Sequence, residues 1–405
     1  MSNGDPVIIC FSSYFKGVKL IEACKEAGCH VILLTKESMS GKEWPWESID
    51  ETFYMPDLHR QPDITYAVSY LMRERPIAQI LAMDDFDVEV VANLREHLRL
   101  PGMGDSLARH FRDKLAMRMQ ARASGILVPE FTSVFNYDAL RDFMARVPLP
   151  WVLKPRSEAS AMGIKKINQP DELWRHLDEL GDKQSYFLLE SFVAGDVYHV
   201  DGLVVDGEVI FQVANKYGRP PMSVYQGGGV FMTRTLDRES DEAKALYELN
   251  PKLLKGLGLV RGASHAEYIR SAEDGRFYFL EVASRVGGAN IAECAEYATG
   301  VNLWAEWARI EVAHLRGESY ELPSTRQEYA GILNCLARQE WPDLSGYNDA
   351  EVVWQMKKKW HAGLIVTSPD PQRLESLLHS YAERFGHDFL AVLPPLESEK
   401  EMRDG

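Results

Sequence analysis

The stretch Gly262–Arg285 reads GASHAEYIRSAEDGRFYFLEVASR. SHAEYI and FYFLEVA alternate in polarity and are rich in aromatic or β-branched residues, so both read as strands. Asp274-Gly275 between them is a hairpin turn signal. With the turn centred on Asp274, Glu267 and Glu281 are equally far from the centre and face each other. Period-two alternation then puts His265, Glu267, Phe279 and Glu281 on one face. Like charges directly opposed on a sheet repel. A divalent cation between them turns that repulsion into ligation, and carboxylate oxygens suit Mg²⁺. The same letters also read as a solvated sheet face with the glutamates slipped out of register. Beyond the second strand, EVASRVGG supplies Arg285, whose fork suits phosphate or carboxylate. Gly287 and Gly288 allow close backbone approach, and a helix beginning near Asn290 offers an anion-friendly N-terminus. A plain strand-to-helix turn with an exposed arginine is the other reading.

Upstream of the hairpin, Lys154 closes the apolar strand Trp151–Lys154. It reads as a snorkelling surface lysine or as a cation aimed at phosphates beneath the small-residue loop Ser157–Gly163. Glu190 lies in the apolar run FLLESFV, where a buried carboxylate is costly unless paired. It is an edge glutamate in water or part of a nucleotide-binding edge whose following backbone bonds an adenine amine. Lys114, in FRDKLAMRM, reads by itself as a solvated helix lysine. Gly227–Gly229 is a hairpin tip or a loop that covers a substrate. Tyr217, Met222 and Tyr225 nearby fit either a partly apolar pocket or core packing. HExxH, the Walker-type loop, GxSxG and a GxGxxG after the first strand are all absent.

Further out, Val7–Phe11, Val31–Thr35 and Ala78–Ala82 read as first, second and third strands. A helix start at Ser12–Lys16, then helices at Val18–Ala27 and Tyr66–Arg75, complete a parallel α/β sheet. Leu100–Gly104 reads as a boundary, followed by one helix from Ser106 to Ser124 stopped by Gly125. Between Ser185 and Glu281 the pattern favours strands. Helices follow at Asn290–Thr299 and Leu303–Leu315, and a separate small α/β unit from Pro323 carries the strand HAGLIVTS and the helix Pro371–Phe385. The residues after Leu396 are expected to fray. A chain of 405 residues implies roughly two to four domains. Its net charge of -15 argues against a nucleic acid partner. Five cysteines without CxxC spacing fit a reduced, cytoplasmic compartment. No signal peptide and no membrane span are expected.

The ordered set of pieces resembles the ATP-grasp carboxylate–amine ligases, and among them the L-amino-acid ligase (dipeptide synthase) branch. The pieces are LPG at Leu100–Gly102, DK at Asp113-Lys114, GILVPEF at Gly125–Phe131, WVLKP at Trp151–Pro155 and LESFVAG at Leu189–Gly195. VDG at Val200–Gly202, GASHAE at Gly262–Glu267 and EVASRVGG at Glu281–Gly288 complete them. Each piece alone is weak, and their order and spacing make the likeness specific. It covers roughly residues 5–320 and, more loosely, the tail.

The resemblance implies an ATP-grasp fold of mixed α/β and α+β class. A Rossmann-like N-terminal domain (1–105) would precede two lobes clasping ATP (106–192 and 193–320), and a C-terminal α/β unit (321–405) would complete the second lobe. It implies that Lys114 and Lys154 contact ATP phosphates, that Glu190 with Ser191, Phe192 and Val193 holds adenine, and that Glu267 and Glu281 bind Mg²⁺, with Mn²⁺ as a substitute. His265 and Arg285 would handle the substrate carboxylate and acyl phosphate, with Gly287 and Gly288 beside the substrate and Lys154 and Arg285 as catalytic groups. Two positions depart from the family. Val197 stands where many relatives have a ribose-binding glutamate, with Asp196 beside it as the candidate substitute. Ala283 stands where many have a further metal ligand, asparagine. The implied activity is amide or peptide bond formation from small carboxylate and amine substrates, amino acids among them. A homodimer is the family's expectation. A bicarbonate- or formate-activating enzyme on the same fold and a non-catalytic nucleotide-binding protein are the alternatives.

Overall fold

A computed structural model describes residues 5–158 and 162–393. Residues 159–161, the middle of the expected phosphate loop, and the end of the tail lie outside the described residues.

The N-terminal sheet is parallel, with β1 (Val7–Ser12), β2 (His30–Lys36), β3 (Glu51–Met55) and β4 (Ile77–Ala82) in the order β3-β2-β1-β4. β1 is buried along its whole length, as expected of a parallel strand covered on both faces. The chain moves outward from β1 to β3 and then returns to the far side of β1. The carboxyl ends of β1 and β4 therefore flank a topological switch point, where open α/β sheets place ligands. Asp84 and Asp85 follow β4 there. Ala78–Ala82, read as the third strand, is part of the fourth, because Glu51–Met55 also pairs. β3 is an edge strand with no fully buried residue, so it lacks the apolar run that marks its neighbours. Ser12–Lys16 is not helical; the helix begins at Val18 and ends at Glu26. The helix expected at Tyr66–Arg75 runs over Asp63–Leu71.

The expected continuous helix Ser106–Ser124 is broken. Short turns cover Asp105–Phe111, and a new helix spans Lys114–Ala123. Asp113 causes the break: its carboxylate accepts from the amides of Leu115 at 3.0 Å and Ala116 at 3.4 Å, an N-cap. A small antiparallel sheet follows, with β5 (Phe131–Ser133), β6 (Trp151–Pro155), β7 (Lys165–Ile167) and β8 (Phe187–Ser191) ordered β5-β8-β6-β7.

The largest sheet has eight antiparallel strands. They are β9 (Gly195–Val205), β10 (Glu208–Tyr217), β11 (Phe231–Thr235), β12 (Gly262–Ser271), β13 (Phe277–Ala283), β14 (Tyr329–Leu336), β15 (Val352–Gln355) and β16 (His361–Ser368), in the order β13-β12-β9-β10-β11-β14-β16-β15. The tail is thus no separate unit, since β14 pairs with β11 and continues the sheet. The stretch read as strands throughout also holds a helix at Asp241–Leu257, capped by Ser240 and stopped by left-handed Gly258. The helix Leu303–Arg316 lies between the N-terminal sheet and the eight-stranded one. Its Trp307, Ile310 and Val312 share one core with Ile8, Cys24 and Leu33 on one side and Leu203 and Ala263 on the other. All five cysteines are free and buried. Among the described residues no helix is long and apolar enough to cross a membrane.

Candidate active site

Glu267 and Glu281 stand directly opposite each other on β12 and β13. A bulge gives them this register. Past it, Tyr268 pairs with Phe279 and Leu280 is skipped, so the hairpin beyond is not centred on Asp274. The bulge also turns Phe279 to the other face, where it packs with Tyr268 in the core. Phe279 therefore does not share the face of the two glutamates, because one extra residue inverts the alternation. Both carboxylates line a cavity of about 480 Å³ between the small sheet and the large one. Glu281 pairs with Lys114 Nζ at 2.9 Å, and Glu267 accepts from the Tyr217 hydroxyl at 2.6 Å. Burial, reinforced by Glu267, pushes the Tyr217 hydroxyl far above its ordinary pKa, so it remains a donor.

Two buried lysines face the same cavity. Lys114 opens the helix that Asp113 caps, and this start, rather than a solvated helix face, buries it. Its Nζ also donates to the Glu158 carbonyl at 2.6 Å. Lys154 is the penultimate residue of β6 and forms an ion pair with Glu190 on β8. Burial pulls Lys154 down to about 8 against the opposing pull of Glu190. Glu190 is no edge residue in water: β8 lies inside its sheet, and Arg118 Nε holds its second oxygen at 3.1 Å. Arg118 is fully buried and also donates to the Leu280 carbonyl exposed by the bulge. Sequence reading missed it, although a lone arginine on the apolar face of a helix was a usable signal.

Ser191, Phe192 and Val193 line the cavity. The amides of Ser191 and Phe192 already donate to the carbonyls of Glu130 and Pro150, at 2.8 and 3.0 Å. Val197 lines the cavity too, but Asp196 does not. Asp196 alternates to the opposite face of β9 and pairs with Lys216 at 2.7 Å, which removes it from the candidate nucleotide set. Gly227 ends a helix spanning Pro221–Gly227, and Gly228-Gly229 run from it toward β11 outside any helix or strand, so the stretch is no simple hairpin tip. Tyr217, Met222 and Tyr225 all line the cavity.

Arg285 enters from the turn after β13. One of its NH groups donates to the Val286 carbonyl at 2.8 Å, another lies 3.9 Å from Asp85, and Nε has no hydrogen-bond partner among the described residues. Asp85, also missed as a site residue, reaches the cavity from the switch point of the N-terminal sheet. Arg112 holds Asp85 Oδ2 at 2.7 Å, while Oδ1 is buried without a partner among the described residues. Burial raises this carboxyl, but Arg112 and Arg285 outweigh it and hold it below its ordinary range. Gly288 lines the cavity. Gly287 sits behind it, where a Cβ would meet Asp201 Oδ1 and His265 Nδ1 at 2.9 Å.

That contact belongs to a buried chain. His265 Nδ1 lies 2.8 Å from Asp201, and the other Asp201 oxygen meets His199 Nδ1 at 2.7 Å and Asn215 at 3.2 Å. His199 Nε2 ends the chain on Thr233, at 2.7 Å. His265 Nε2 is left toward Glu267, 3.4 Å away, and His265 lines the cavity. Burial disfavours the charged ring, yet Asp201 outweighs it and raises His265 to about 10. Asp201 is itself held far below its ordinary range against the effect of burial. The signal was present in the sequence: His199 and Asp201 alternate with buried Val200, so both fall on the face of Glu267.

Residues 147–293 match the ATP-grasp domain family. The chain is 23% identical over 307 residues to an L-arginine-specific L-amino acid ligase of Bacillus subtilis, covering 70% of this chain and 71% of the relative. It is 24% identical over 222 residues to a D-alanine–D-alanine ligase of Neisseria gonorrhoeae, covering 51% and 69%. The fold superposes on the crystal structure of an L-amino acid ligase from Bacillus licheniformis with a TM-score of 0.77, at 16% identity, across 96% of this chain and 99% of that one. With two opposed carboxylates and two buried lysines around one cleft between sheets, the chain has the ATP-grasp fold, and residues 147–293 match the ATP-grasp domain.

Proposed function

We propose that this chain is an ATP-dependent ligase that joins the carboxylate of an amino acid to an amine through an acyl phosphate. The observation that carries this is the convergence of Lys114, Lys154, Arg285 and the Glu267–Glu281 pair on one cavity. The sequence relatives are ligases of amino acids. A carboxylate oxygen attacks the γ-phosphorus of ATP and ADP leaves. The amine then attacks the acyl carbon, phosphate departs and the nitrogen loses a proton. Lys114 and Lys154 neutralise the phosphates, and Arg285 presents its unspent guanidinium edge to the oxygens that gain charge. Glu267 and Glu281 are hard oxygen donors open to the cavity, which fits them to Mg²⁺; bound there, the ion would screen the phosphate charges. The free oxygen of Asp85 fits the ammonium group of an amino acid. Because two amides of the hinge are occupied, the adenine would use the carbonyl side of Ser191–Val193. The division at residues 105, 192 and 320 belongs to this reading, with 321–405 completing the second lobe. So does action in a reducing, cytoplasmic setting.

Phosphate release from Mg-ATP, screened with amino acids singly and in pairs and with mass spectrometry of the products, tests the reading. Release should require an amino acid, and Glu281→Gln should abolish it. Release that needs bicarbonate instead, or near-normal turnover by Glu281→Gln, would overturn the reading.

A further inference from the structure

A second cavity, of about 200 Å³, lies at the junction of the N-terminal sheet, the helix Leu303–Arg316 and the turn after β13. It is lined by the buried guanidinium groups of Arg95 and Arg261, and by Glu311 and Ser284. Glu311 is spent: it accepts from Arg261 at 2.9 Å, Gln79 at 3.0 Å and Trp307 at 3.3 Å. Arg95 bonds only a backbone carbonyl, that of Ile80 at 2.9 Å, and has no carboxylate partner among the described residues. Arg95 and Arg261 thus share the single carboxylate of Glu311, and the surplus buried positive charge is costly. Burial lowers Arg95 only to about 10, so it does not escape by losing its proton. Ser284 Oγ is buried there without a hydrogen-bond partner among the described residues. The space equals several water volumes of about 30 Å³ each, enough for a small oxyanion.

We propose that this cavity binds a compact oxyanion, a small carboxylate or inorganic phosphate, against Arg95 and Arg261, with Ser284 as an added donor. The occupant would lie behind the main cavity, since Ser284 directly precedes Arg285. Nothing in the ligase reading assigns a ligand here.

The test titrates the full chain with acetate in one arm and inorganic phosphate in the other. Ionic strength is constant, saturating Mg-ADP fills the main cleft, and thermal unfolding is followed. One of the two anions should raise Tm saturably, and that arm identifies the source. Arg95→Met should weaken its apparent affinity by about tenfold or more, as loss of a charge-assisted contact requires, while the shift produced by Mg-ADP stays as in the wild type. Because Arg95→Met removes a buried side chain, Ser284→Ala and anomalous diffraction from wild-type crystals soaked in bromide serve as independent readings. A bromide peak beside Arg95 supports the site. No saturable shift with either anion, equal affinity in wild type and variants, or no bromide peak in this cavity overturns it.

Discussion

At the scale of single residues, the Asp201–His265 pair makes two predictions. Asp201 touches no cavity-lining ligand position itself; it holds the ring that does. Asp201→Asn should lower kcat by about 10–100-fold, as loss of a partner behind a functional ligand does, with nucleotide affinity little changed. Restoring the carboxylate as Asp201→Glu should recover part of kcat, which a general loss of folding would not allow. The pair also sets a pH signature. The raised His265 contributes stability that is complete below its ordinary 6.5 and lost as pH rises through about 10. The depressed Asp201 contributes stability present above its ordinary 3.8. The stability gap between wild type and Asp201→Asn in urea should therefore shrink from pH 6 to pH 10; a constant gap would refute the charged pair. In the proposed reaction Lys154 neutralises a phosphate, so its charge should bear on rate. In the free protein its proton leaves as pH rises through about 8, so kcat/KM for ATP should fall along that limb, and an unchanged kcat/KM at pH 9.5 would contradict its role.

At the scale of elements, caps and turns decide where side chains arrive. The helix Lys114–Ala123 begins where it does because Asp113 caps it, and Asp113 also pairs with Arg156. Asp113→Ala should cost about 1 kcal/mol of stability from the cap alone. It should also raise KM for ATP, because Lys114 is the first residue the cap places. The turn after Arg285 carries the opposite kind of device. Ala289 and Asn290 both have positive φ, 53° and 62°. Asparagine tolerates that conformation and alanine does not. Ala289→Gly should therefore stabilise the fold by about 1 kcal/mol, measured by chemical denaturation. A loss of activity in that variant would show that the strained turn helps position Arg285.

At the scale of the molecule, the helix Leu303–Arg316 joins the sheet that supplies Asp85 to the sheet that supplies the glutamates. Ile310 is 1% exposed in their shared core. Ile310→Ala should cost about 2–5 kcal/mol. If the shared core couples the two sheets, calorimetry should show one lowered transition; two separated transitions would mean that the sheets melt independently.

The strands and their facing were legible wherever one face is buried, because period-two alternation leaves few other registers. β12 and β13 are such cases, and so is the opposition of Glu267 to Glu281; β1 and β2, buried along almost their whole length, are legible instead as continuous apolar runs. The helix Asp241–Leu257 carries equally legible signals in Ser240, an acidic first turn and Gly258, although it lies between strands on both sides. What the letters alone could not supply were contacts between segments far apart in the chain. The burial of Lys114 depends on a helix break, and the side to which Phe279 turns depends on a bulge. The loss of Asp196 from the site depends on which face of β9 meets the cavity. Asp85, Arg118 and Asp201 acquire their roles only when the N-terminal switch point, a lobe helix and β9 converge. Local propensity and alternation are carried by neighbouring residues and can be read from them. The partner of a buried charge is chosen by the packing of whole sheets, and only the tertiary structure decided it.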